Sequence, residues 1–212
     1  ASHRAIGAGF SVALGIGDAT FQPSSTRTVA GESVAVVAGN FRGSADVDVL
    51  ILRSLSSNYG VLSFAGNGDG TFAAPVTTPT THDMAFVIPR HMTAADGDLD
   101  GDLDLFISAY DGVRQFELFW RRNSNGSFAT QSRAQIEVRQ HAVADFSGDG
   151  LPDMVASRHG FSAQSGLRYY EGNGNMGFPD TGLRRLMGFD SGPLALGQFD
   201  RNGTMDVAVV NE

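Results

Sequence analysis

A nine-residue acidic loop recurs along this chain, and its recurrence limits the folds available. In segment 96–104, Asp96, Asp98, Asp100 and Asp104 stand at loop positions 1, 3, 5 and 9, with Gly101 at 6. Segment 145–153 repeats the layout with Asp145, Ser147, Asp149 and Asp153, and Gly150 at 6. Segment 198–206 repeats it with Gln198, Asp200, Asn202 and Asp206, and Gly203 at 6. Short oxygen-bearing side chains at alternate positions, with a glycine for a sharp turn, are what a hard divalent cation needs. Self-similarity at a period near 50 residues points to a solenoid, a propeller or an array.

A second landmark follows each loop. Asn67-Gly68-Asp69-Gly70-Thr71-Phe72 is a turn that ends on an aromatic, and similar turns end on Phe128, Phe178 and Phe21. Asn-Gly and Asp-Gly between apolar runs mark hairpins, because such turns need positive φ. The offset from loop position 1 to this Phe is 32 residues for Asn40 and Asp96 and 33 for Asp145. Between the landmarks lie short runs rich in Val, Leu, Ile and aromatics, such as 34–38, 47–52, 60–64, 103–107, 116–120, 142–144, 154–156, 167–170 and 207–210. Each has strand length and composition. With a closing strand near 74–77, a repeat holds about four strands, and no segment carries a capped helical period. Four-stranded units of this length describe propeller blades.

The loops begin at residues 40, 96, 145 and 198. The chain is therefore expected to form one domain over 1–212, with repeat units near 34–86, 87–138 and 139–190 and a fourth made from 191–212 joined with 1–33. Counting from Gln198 to the last residue and on to Phe21 gives 35, close to the internal offsets. A closed four-bladed ring and a piece of a larger ring both fit this count. An isolated blade cannot bury its faces, so neighbours must stack.

Composition narrows the function. The net charge is -8, and lysine is absent. That argues against a nucleic-acid surface, which needs clustered basic residues. With no cysteine, disulfides and thiolate metal sites are excluded. No apolar run approaches the ~18 residues of a membrane span. The first residues, Ala1-Ser2-His3-Arg4, lack Met and a signal-peptide core, as in a processed chain or a fragment.

Together the two landmarks resemble the FG-GAP/VCBS repeat family. Its pattern is Asp-x-Asp/Asn-x-Asp-Gly-x-x-Asp, a strand ending near Asn-Gly-Asp-Gly-Thr-Phe, and a segment often containing Pro, here echoed by Phe72-Ala73-Ala74-Pro75. The resemblance implies an all-β propeller of four-stranded blades, commonly seven, with Ca²⁺ in the loops. It implies ligands from the side chains at positions 1, 3, 5 and 9 and the carbonyl at 7. In the second loop these are Asp96, Asp98, Asp100 and Asp104 with the carbonyl of Asp102. In the third they are Asp145, Ser147, Asp149 and Asp153 with that of Leu151. The last offers Gln198, Asp200, Asn202 and Asp206 with that of Thr204, a weaker third site because affinity tracks ligand charge. The first loop has Arg42 at position 3 and Ala45 at 6, and reads as a lost site in which Arg42 replaces the ion by pairing with Asp48. An EF-hand would need an acidic residue at position 12 and flanking helices, and neither is expected. Mg²⁺ fits less well than Ca²⁺, because it avoids all-protein cages.

Other motifs read as structural. Gly172-Asn173-Gly174-Asn175-Met176-Gly177 matches G-x-G-x-x-G but falls on a hairpin turn, without the βαβ unit a nucleotide needs. His91 and His141 precede their loops at related positions and read as repeat packing. Trp120, Tyr169 and Tyr170 could stack on sugars, yet lie in strand segments. Asn125 and Asn202 begin glycosylation patterns within turns. The functional expectation is a secreted or cell-surface module that binds calcium and a glycan or protein ligand, without catalysis, and that self-associates if its ring is incomplete. The alternatives are the propeller portion of a secreted polysaccharide- or sugar-active enzyme, with His82, Asp83 and Arg90 as candidates, and a scaffold.

Overall fold

The computed structural model describes residues 8–55, 58–78, 88–110, 116–129, 132–134, 136, 138–158, 166–179, 184–185 and 191–211. Among them every regular element is a strand, and no helix is long and apolar enough to cross a membrane. The expected all-β class is observed. His82 and Asp83 lie outside the described residues.

Three antiparallel sheets have four strands each. A two-stranded sheet of β1 (Gly9–Val12) and β2 (Ser25–Thr28) comes first. The first complete sheet follows: β3 (Glu32–Gly39), β4 (Asp48–Leu55), β5 (Asn58–Phe64) and β6 (Val76–Thr78), in that order. In the second, β7 (Ile88–Ala95), β8 (Asp104–Tyr110) and β9 (Phe116–Arg121) are followed by a small hairpin of β10 (Asn123–Ser124) and β11 (Ser127–Phe128), and β12 (Ser132–Ala134) closes the sheet. The third holds β13 (Gln140–Ala144), β14 (Asp153–Arg158), β15 (Gly166–Tyr170) and β16 (Arg184–Arg185). A last two-stranded sheet pairs β17 (Ser191–Gly197) with β18 (Asp206–Asn211). Every acidic loop joins the first strand of a sheet to the second.

The second strands of the three four-stranded sheets are apolar on both faces because each is sandwiched between neighbouring sheets. Alternate side chains of a strand point to opposite faces. In β4, Leu50 and Leu52 pack with Met92, Leu105 and Ile107 of the second sheet, while Val49 and Ile51 pack with Phe10 and Val12 of β1. Across the next junction Phe106 and Leu118 meet Val143, Met154, Ala156 and Phe178. Each buried Leu or Phe contributes about 1.5–3 kcal/mol, so the sheets hold one another. Strands start slightly later than the apolar runs suggest: β4 and β8 begin at Asp48 and Asp104, leaving Val47 and Leu103 in the loops. The closing strand of the first complete sheet is Val76–Thr78 rather than 74–77.

Candidate metal centre

All four loops follow a common path. The backbone at position 4 is left-handed in each, at Gly43 (φ 63°), Leu99 (φ 63°), Gly148 (φ 79°) and Arg201 (φ 61°). Position 6 is also left-handed where it is glycine, at Gly101, Gly150 and Gly203, but Ala45 of the first loop does not adopt that conformation.

Position 9 is the first residue of the second strand, and its carboxylate ties the loop to the rest of the sheet. Asp48, Asp104 and Asp153 are fully buried. One oxygen of each accepts the N–H of loop position 2, from Phe41 (3.3 Å), Gly97 (2.9 Å) and Phe146 (3.1 Å). The other accepts an N–H just beyond the third strand, from Gly66 (2.9 Å), Asn123 (2.7 Å) and Gly172 (2.9 Å). A ligand role for position 9 and this stapling role use different lone pairs of the same oxygens, since a carboxylate offers about four acceptor sites.

The second loop gathers its acids most closely. Carboxylate oxygens of Asp96, Asp98 and Asp104 lie within 4.8 Å of one another. Burial raises the Asp104 pKa to about 6, partly offset by the Asn123 and Gly97 N–H groups, and the charges of Asp98 and Asp100 push it further up. Asp98 pairs through Oδ2 with Arg122 Nε at 2.6 Å, but its Oδ1 is buried with no hydrogen-bond partner among the described residues. A buried, unpaired carboxylate oxygen is costly unless a cation or donor meets it. The donor set is all hard oxygen, so Ca²⁺ fits the loop chemically. The other members shape the turn: Asp96 accepts the N–H groups of Asp100 (3.1 Å) and Gly101 (3.0 Å), and Asp100 accepts that of Asp102 (2.9 Å).

In the first loop a guanidinium stands at the corresponding place. Arg42 donates from Nε to both oxygens of Asp48 (3.0 and 3.1 Å), and from Nη2 to Asp48 Oδ1 (2.7 Å) and to the Gly66 carbonyl (3.2 Å). Burial works to raise the Asp48 pKa, yet the bonds from Arg42 and the Gly66 N–H outweigh it and hold the carboxyl below its ordinary value. The pairing expected from sequence is present.

The FG-GAP-like repeat family model matches residues 96–156 and 145–209, together more than half of the chain. This chain belongs to the FG-GAP-like repeat family. No curated relative matches it. Both matched spans begin at an acidic loop, so the family signature and the loop geometry coincide.

The remaining FG-GAP-like loops are looser. In the third, Asp145 accepts N–H groups from Gly148 (2.7 Å) and Gly150 (2.9 Å), Asp149 accepts that of Leu151 (2.8 Å), and Ser147 Oγ donates weakly to Asp145 (3.5 Å). In the last, Asp200 accepts Asn202 N–H (3.0 Å), Asn202 Oδ1 accepts Thr204 N–H (2.8 Å), and Gln198 Nε2 reaches the Gly203 carbonyl (3.4 Å). Among the described residues, only the second loop brings three carboxylates together.

Other singled-out residues pack. His91 and His141 meet edge to face with ring centroids 4.9 Å apart. His141 Nε2–H donates to the Phe106 carbonyl (3.2 Å). Trp120 is partly buried against the core between the second and third sheets, and Tyr170 is buried in it. Burial, then the neighbouring Asp153 carboxylate, push the Tyr169 phenol up to about 12. Sequence reasoning missed the position-9 staple and the left-handed position 4. The staple had a signal: Gly66, Asn123 and Gly172 recur 18 or 19 residues after Asp48, Asp104 and Asp153.

Proposed function

We propose that this chain is a calcium-stabilised β-propeller module that works outside the cell by binding a glycan or protein ligand. The observation that carries the calcium reading is the contrast between the first two loops. Where Arg42 supplies a positive charge, Asp48 is satisfied and its pKa lies low. Where no arginine stands at position 3, Arg122 meets one oxygen of Asp98 from outside the loop, but the other stays buried and bare and Asp104 is pushed up. A divalent cation completes the second loop as Arg42 completes the first. Asp96, Asp98, Asp100 and Asp104, with the carbonyl of Asp102, would hold it. The third loop would hold a second ion through Asp145, Ser147, Asp149, Asp153 and the Leu151 carbonyl, and the last loop a weaker third.

Such an ion would be structural. A cage filled by protein oxygens leaves no open position for a reacting water, so the metal locks the loop and stabilises the folded state by mass action. The propeller reading is supported by three stacked four-stranded sheets and by membership of the repeat family. The extracellular setting and the ligand class rest on what the resemblance implies.

Calorimetric titration of the chelator-treated protein with Ca²⁺ tests the metal. Binding is expected, with loss of one site in Asp98→Asn. Absence of heat, together with a melting temperature indifferent to Ca²⁺ and chelator, would remove the reading. A glycan array on the Ca²⁺-loaded protein tests the ligand class.

A further inference from the structure

The third four-stranded sheet packs its hairpin turn against the second loop. Met176, in the left-handed backbone of that turn (φ 56°), is buried and donates its N–H to the Gly97 carbonyl at 3.0 Å. A second link runs through a charge. Arg122, the residue just beyond β9, sends Nε to Asp98 Oδ2 at 2.6 Å and Nη2 to Asn175 Oδ1 in the same turn. One guanidinium thus joins position 3 of the second loop to the sheet that follows.

The residue at the place of Arg122 varies with the residue at loop position 3. In the three four-stranded sheets, Ala65, Arg122 and Glu171 stand between the third strand and the N–H that staples position 9. Position 3 of the corresponding loops is Arg42, Asp98 and Ser147. Among these three, a cation follows the third strand only where position 3 is an acid. In the first loop position 3 is itself the cation, and Arg42 reaches the same end of its sheet by donating to the Gly66 carbonyl at 3.2 Å. The two guanidiniums differ in depth. Arg42 bonds both oxygens of fully buried Asp48, whereas Arg122, with its side chain 49% exposed, meets one oxygen of Asp98. The Asp98 side chain is only 10% exposed, and its other oxygen is the bare one. Arg122 therefore offsets part of the charge that Asp96, Asp98 and Asp104 gather within 4.8 Å, and leaves one oxygen open.

We propose that Arg122 is a built-in counter-cation of the second loop: it holds the ion-free loop against the hairpin turn of the third sheet, and for that reason it lowers the calcium affinity of the loop. The proposal rests on the calcium reading of this loop. Its energetics are those of linkage. In the empty loop the guanidinium attracts Asp98 and relieves repulsion among the carboxylates. With Ca²⁺ bound, the ion already neutralises those carboxylates and repels the guanidinium, so the same side chain stabilises the filled loop less. A group that favours the empty state over the filled one weakens binding by that difference. Asp98→Asn removes the repulsion along with the pair, whereas loss of the Arg122 charge removes only the compensation.

Two substitutions separate charge from shape. Arg122→Gln removes the charge, and Arg122→Lys keeps it without the fork that reaches Asp98 and Asn175 together. Calorimetric titration of the chelator-treated protein follows the site that is absent from Asp98→Asn. That site should bind Ca²⁺ roughly three- to tenfold more tightly in Arg122→Gln, with a gain that shrinks as salt rises, because a half-exposed charge is screened. Arg122→Lys should stay within about twofold of the parent. Urea midpoints give a readout that needs no bound ion: chelated Arg122→Gln should unfold at lower urea than the chelated parent, and saturating Ca²⁺ should narrow the gap. A merely structural Arg122 would lower both midpoints equally and leave the affinity unchanged or weaker. Either result overturns the proposal while the calcium reading stands, as does Arg122→Lys binding as tightly as Arg122→Gln. If the parent and both variants bind no Ca²⁺ at this loop, the calcium reading fails and the proposal falls with it.

Discussion

Arg42 Nη2 lies 2.7 Å from Asp48 Oδ1, and Asp48 occupies in the first loop the place that Asp104 occupies in the second. One guanidinium there does what the proposed ion would do next door. Removing it in Arg42→Gln leaves a fully buried carboxylate with only backbone donors. We expect a loss of about 2 kcal/mol, the scale for a charged hydrogen bond whose buried partner stays behind. Urea denaturation at neutral pH measures it.

The exchange should run in reverse. Asn40→Asp and Arg42→Asp, with Ser44→Asp and Ala45→Gly, give the first loop the acids and the turn residue of the second. This variant should bind one Ca²⁺ more than the parent by calorimetric titration, and should be less stable than the parent when chelated.

Calcium should stabilise the native protein. At free Ca²⁺ 100-fold above the dissociation constant, one site contributes about 2.7 kcal/mol. Asp98→Asn should lose most of that increment while changing the chelated protein little, because only one oxygen of Asp98 has a partner there. Thermal melts with and without chelator read both.

Backbone strain gives a separate prediction. A Cβ at Gly150 meets nothing within 4 Å, so Gly150→Ala tests conformation alone. At its φ of 85° we expect a cost of about 1–2 kcal/mol. Leu99 is exposed and left-handed, so Leu99→Asn should be stabilising by about 0.5 kcal/mol.

Acid should loosen the junction of the second and third sheets. Burial, and then the charge of His91, depress His141 to about 3. Unfolded, it titrates near 6.5. Between those values the unfolded chain binds a proton that the folded chain does not. Stability from this residue is therefore complete above pH 6.5 and falls as pH drops, by about 1.4 kcal/mol per unit. Urea midpoints at pH 7, 5.5 and 4.5 should show a shallower slope in His141→Gln.

Much of this architecture was legible because repetition amplifies weak signals. Asp-rich loops, Asn-Gly turns and apolar runs located most strands, and the presence of Arg42 at position 3 announced its pairing with Asp48. What stayed hidden depended on the third dimension. The left-handed backbone at Leu99 and Arg201 leaves no mark, because neither residue prefers that conformation. The staple from Asp104 to Asn123 joins residues 19 apart, and its carboxylate reads as just another acid of the loop. Sequence gathered the third and second loops alike, whereas among the described residues only Asp96, Asp98 and Asp104 converge, because the third loop has Ser147 where Asp98 stands.

The second residue of a loop offers its carbonyl to the hairpin of the following sheet. Phe41 O accepts from Asn123 Nδ2 at 2.8 Å, and Gly97 O from Met176 N at 3.0 Å. Every such link points the same way along the chain. Duplicating a whole unit at any seam would remake the same link on both sides, so arrays of this kind can grow or shrink by entire repeats without orphaning a bond.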